Sequence, residues 1–183
     1  MNYQSIAEIY AANDEIREKI KTTVEKLSAE ELEYRADSQS WTIREIVEHI
    51  AIVENGMAKI SAKLLKKAEA AGGGSGGSVK IGSEFSRRAA ETENLKLQAP
   101  DMVKPTGTLS VEESLTKMAE TRQILETLRP LFEQVEALEH KFPHPFFGAL
   151  NAHEWLVLVG VHGARHLKQI RAVLEKNGAG KTL

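Results

Sequence analysis

Residues 151–176 read NAHEWLVLVGVHGARHLKQIRAVLEK, and this stretch organises the chain. It predicts a helix: Asn151 with Glu154 fits an N-terminal capping box, and apolar residues recur at helical intervals to Val173. His162 and His166 lie four residues apart, so both imidazoles leave one face, a turn apart along the axis. Two imidazoles at that spacing can chelate one divalent cation. Trp155, Leu158, Val159, Ile170 and Val173 share roughly that face, which must therefore point into a core or a cleft. A polar pair placed there needs partners, because burying unpaired polar groups is costly.

Three further helical patterns lie upstream. Ile6, Ile9, Ile16, Ile20, Val24 and Leu27 mark a first helix over about 6–27, and Ser28 to Glu31 resembles a capping box that opens a short turn. Thr42 with Glu45 caps a second helix, whose apolar face runs Ile46, Val47, Ile50, Val53, Met57, Ile60 and Leu64 to an end near Ala71. His49 lies beside that face. Ser110 with Glu113 caps a third helix with a stripe from Val111 to Leu131, which Pro130 is expected to kink or break before the pattern resumes through Val135 and Leu138. No strand pattern competes. The glycine-rich stretch 72–78 reads as a linker, because glycine loses the most backbone entropy on ordering. It begins a long connection to Gly107, in which only 85–90 suggests a short helix; connections of that length often border functional sites. These elements predict an all-α fold, an antiparallel four-helix bundle in one domain spanning 1–183, with a long crossover between the second and third helices.

Composition narrows the function classes. Of 183 residues, 42% are hydrophobic and 27% charged, as in an ordinary soluble domain. A net charge of −2 offers no basic field for nucleic acid or anionic lipid. No apolar run is long enough to span a bilayer and no secretory signal opens the chain, so the expected location is cytoplasmic. Cysteine is absent, which removes disulfides, thiolate ligands and cysteine nucleophiles. Histidine and carboxylates are left as ligands.

If the second and fourth long helices lie side by side, His49 can join His162 and His166. Three imidazoles with an open position suit catalytic zinc, and equally nickel or iron. A di-iron carboxylate site is excluded, because it needs Glu three residues before His, and none of the six His has it. The H-E-x-x-H zinc motif fails after His153-Glu154, and phosphate-loop and dinucleotide fingerprints are missing. Glu45 is four residues before His49, and could approach the metal or orient that imidazole. Its capping role, like that of Glu154, is the simpler reading. His153 is turned away from the His162 face. His140 and His144 belong to an aromatic connection, and Arg165 is expected to pair with a surface carboxylate, with a substrate anion as the alternative partner.

Three passages together resemble the DinB/YfiT-like metalloenzyme superfamily: Ser40–Ala51, with Trp41 eight residues before His49; His144–Trp155, a proline–aromatic–glycine lead-in to the last helix; and His162–Ile170, an H-x-x-x-H followed by Gln169-Ile170. The resemblance spans about residues 5–176. It implies a four-helix bundle with a divalent metal held by His49, His162 and His166, in a protein that is often a homodimer. Relatives of this kind include thiol-dependent S-transferases and a mycothiol-dependent maleylpyruvate isomerase. The resemblance thus implies a low-molecular-weight thiol or water activated for attack on a small electrophile. The thiol would be a cosubstrate, since the chain has none. A non-catalytic, metal-binding homodimer is the alternative. The family's name does not imply DNA binding.

Overall fold

In a computed structural model, residues 3–73, 78–92, 95, 97–136 and 138–178 are described. Positions 74–77 of the expected glycine-rich linker lie outside them. The helices are α1 (Ile6–Val24), α2 (Ala29–Glu33), α3 (Ile43–Ala70), α4 (Ser83–Thr92), α5 (Val111–Gln134) and α6 (Ala152–Lys176), with a 3-10 turn at Asp101–Val103. The starts obey the capping logic of the sequence. Ser28, Thr42, Ser110 and Asn151 each accept from the backbone N–H three residues on. The Glu at that position returns the bond to the cap's own N–H.

Four of these helices, α1, α3, α5 and α6, make the bundle. α3 packs against α5 and α6, and α1 against α6 and α5. Two apolar clusters fill the space between them, one at each end. The long crossover returns the chain to the starting end, so α5 runs in the same direction as α3. Antiparallel packing joins α3 to α6 and α1 to α5, where Tyr10 Oη donates to the Leu125 carbonyl and Asp14 receives Arg122. α1 and α6 run parallel and close together. Asn13 Nδ2 donates to the Leu156 carbonyl at 2.9 Å. A Cβ on Gly160 would lie 2.3 Å from Asn13 Oδ1, and one on Gly163 would lie 2.9 Å from Ile16 Cγ2. These two glycines let α1 approach, and so fix which face of α6 is left for α3.

Two expectations are corrected. Pro130 does not break α5, which continues one turn further to Gln134. Leu128 and Phe132 are buried on either side of it, and their packing holds the turn that proline weakens. The helix does not resume beyond that turn; Val135 ends it in an extended conformation, buried in the core. The aromatic connection is also not strand-free. Phe142–His144 (β1) pairs antiparallel with Gly148–Leu150 (β2). Strands of three residues are too short to show alternation in sequence.

Ala has the higher helix propensity, yet Gly160→Ala is expected to destabilise the protein by about 1–3 kcal/mol, because overpacking outweighs propensity. Urea unfolding checks this. A variant as stable as the wild type would mean that α1 does not need this approach.

Candidate metal centre

The antiparallel packing of α3 on α6 brings His49 to His162 and His166. The Nε2 atoms of His162 and His49 are 3.2 Å apart, and those of His166 and His162 are 3.1 Å apart. All three ligand atoms lie within 4.8 Å of one another. Ligands about 2.1 Å from one cation would be separated by about 3.4 Å at tetrahedral angles and about 3.0 Å at right angles. The two spacings that His162 makes, 3.2 Å to His49 and 3.1 Å to His166, fall between these values.

The outer nitrogens explain the orientation of two rings. His49 Nδ1 lies 2.7 Å from the Val103 carbonyl, which can only accept, so the proton sits on Nδ1 and the lone pair on Nε2. His166 Nδ1 lies 2.8 Å from Gln169 Oε1, which fixes the same tautomer. This is the usual outer support of a metal-binding imidazole. His162 Nδ1 is buried with no partner. Two lone pairs therefore point at the His162 Nε2, an arrangement that a shared cation satisfies. The donor set fits a divalent metal.

The same residues are held electrically neutral. Burial lowers the His166 pKa to about 3, and the neighbouring His49 ring adds to the effect. Burial pushes His162 well below its ordinary value, helped by His166 and His49. Burial also lowers His49, while its bond to Val103 pulls the other way. Neutral imidazoles are the ligating form.

The crossover is tied down around this centre. Buried Glu48 accepts from Thr106 N and Oγ1 and from Gly107 N, at 3.1, 2.6 and 2.8 Å. Arg44 donates to the Gly107 carbonyl. Arg165, for which a surface carboxylate was the expected partner, donates to the Thr92 and Leu95 carbonyls of the crossover. The Trp41 ring lies 4.8 Å from the His49 ring.

The remaining candidates have structural posts. Glu45 closes the Thr42 cap and pairs with Arg35, so its carboxylate serves the helix start and not the His49 ring. Glu154 caps α6 and accepts from Gly82 N. His153 joins the crossover to α5, accepting from Lys80 N at Nδ1 and facing the Phe132 carbonyl at Nε2. His144 Nδ1 accepts from Phe146 N and Phe147 N, which shapes the hairpin turn. His140 is half-buried in the connection just before β1. Val103 and Glu48 were not identifiable as supports in the sequence. A carbonyl leaves no side-chain signal, whereas Gln169, three residues after His166, could have been found by helical spacing.

Comparisons with known proteins follow this geometry. The DinB superfamily pattern matches residues 12–170. The chain is 26% identical over 152 residues to the uncharacterised protein YuaE of Bacillus subtilis (strain 168), covering 82% of this chain and 87% of that protein. It resembles YfiT from Bacillus subtilis, described as a probable metal-dependent hydrolase with an unusual four-helix bundle topology. That match has a TM-score of 0.60 and 19% identity, covering 97% of this chain and 93% of the other. It also resembles TT2238, described as a four-helix bundle protein, with a TM-score of 0.57 and 22% identity, covering 91% and 97%. At these identities the structural likenesses show the fold. Among the described residues, no helix is long and apolar enough to cross a membrane.

In the unfolded chain an imidazole titrates near pH 6.5, so below that pH the unfolded state binds more protons than the fold does. Metal-stripped protein should therefore lose stability as pH falls from 7 towards 4, by up to about 1.4 kcal/mol per pH unit for each such imidazole. Thermal melts in chelator read the slope, and His166→Gln should make it shallower. An identical slope in the variant would place the lost protons elsewhere.

Proposed function

The chain belongs to the DinB superfamily, and from that premise we propose that it is a divalent-metal-dependent enzyme acting on a small electrophilic substrate. The observation that carries this reading is the convergence of three Nε2 atoms, two of them on rings whose outer nitrogens are already engaged. His49, His162 and His166 would hold the cation. Zinc and nickel suit three imidazoles, and iron is also compatible. Such a cation supplies Lewis acidity that makes water or a low-molecular-weight thiol a competent nucleophile near neutral pH.

The chain's own residues supply the rest. The Val103 carbonyl and Gln169 keep two Nε2 lone pairs aimed inward. Trp41 covers His49, and the buried side chains of Trp155, Leu158 and Val159 keep this stretch of α6 dry. A dry surround strengthens electrostatic interactions at the centre. The description of YfiT as a probable metal-dependent hydrolase supports water as one nucleophile. A thiol nucleophile would have to be a cosubstrate, since the chain has no cysteine.

The test is a panel of small esters, amides and thiol-plus-electrophile pairs, assayed on native, chelated and metal-restored protein. Turnover should vanish on chelation and return with zinc or nickel, and His162→Ala should lower kcat/KM by at least about 100-fold, beyond the losses typical of outer-sphere changes. Turnover that survives both treatments would contradict a metal-dependent reaction.

A further inference from the structure

An opening lies between α3, the Asp101–Val103 turn and α5, on the far side of Val103 from the His49 ring. It has a volume of about 460 Å³ and none of the three His lines it. That volume falls in the range of about 300–1,000 Å³ that holds small molecules. Its walls carry Ile52, Met102 and Leu109, with Lys59, Lys117 and Glu120 beside them.

Gly56 also lines the groove. It sits in the middle of a 28-residue helix, where glycine is disfavoured. Gly160 and Gly163 are required by the approach of α1, but a Cβ on Gly56 would meet nothing within 4 Å. Packing therefore does not demand glycine at this position. What the missing side chain does is leave the groove open. At its edge Met102 is 87% exposed, an apolar side chain without cover. Lys59 and Lys117 set two cations against the single carboxylate of Glu120, while Glu113, a turn before Lys117, also attracts that ammonium.

We propose that this groove binds a small amphipathic carboxylate. Its apolar chain lies over Gly56, against Ile52, Met102 and Leu109, and its headgroup is held by Lys59 and Lys117. The site is separate from the metal chemistry, though the two share Val103, which lines the groove and holds His49 through its carbonyl.

Octanoate titrated into the full chain by calorimetry tests the assignment. The wild type should saturate at one molecule per chain. Gly56→Leu, which fills the floor, should weaken binding at least tenfold, and so should Lys59→Glu combined with Lys117→Glu. Gly56→Ala should melt no lower than the wild type, showing that the helix tolerates a side chain there. If Gly56→Leu fails to fold, the lysine double variant decides. Metal content should be unchanged in all variants, so failure here is distinguishable from failure of the metal centre. Absence of saturable binding in the wild type would overturn the proposal, as would undiminished binding in the variants. A wild-type dimer that Gly56→Leu dissociates would also overturn it, giving the groove to a second copy of the chain.

Discussion

The Nε2 lone pairs of His49 and His166 are both aimed at the Nε2 of His162, and much of the bundle is built to hold these three rings together. His162 and His166 cannot separate, because they share one face of α6. His49 cannot withdraw, because α3 is clamped between α5 and α6 and its ring is held from behind by the Val103 carbonyl. Burial keeps all three rings neutral, so mutual charge repulsion is avoided while the lone pairs stay available. A cation at the centre turns this arrangement from a cost into a gain, which is why metal binding and folding are linked in such sites.

The crossover matters as much as the helices. A short turn after α3 would have produced an antiparallel neighbour. The long connection instead lets α5 run alongside α3 in the same direction, and on the way it passes the three imidazoles. There Glu48, Arg44 and Arg165 take up its backbone groups by side-chain hydrogen bonds. Val103 gains its contact with His49 only because the segment is secured on both sides. The opposite flank of α6 is set by glycine: Gly160 and Gly163 admit Asn13 and Ile16 of α1, so the helix packs on one side and carries His162 and His166 on another.

Much of this was legible in the sequence, for identifiable reasons. Capping boxes at Ser28, Thr42, Ser110 and Asn151 are local, so residue order alone predicted those starts. His162 and His166 follow from helical spacing. His49 needed the antiparallel contact between α3 and α6, a long-range fact that the motif resemblance supplied. The uninterrupted helix at Pro130 was not legible, because tertiary packing overrode a local rule. The hairpin at Phe142–Leu150 left no periodicity to read. The hold of Val103 on His49 was invisible because the acceptor is a backbone carbonyl, which no residue type announces. The roles of Gly160 and Gly163 required knowing which helix lay opposite.

Metal content of untagged native protein by mass spectrometry, set beside His49→Ala and His166→Ala, tests the central claim most directly. The account predicts about one divalent metal per chain, lost in both variants although they come from different helices. Native protein that holds no metal, even after incubation with zinc or nickel, would contradict it and leave three histidines packed in a bundle core.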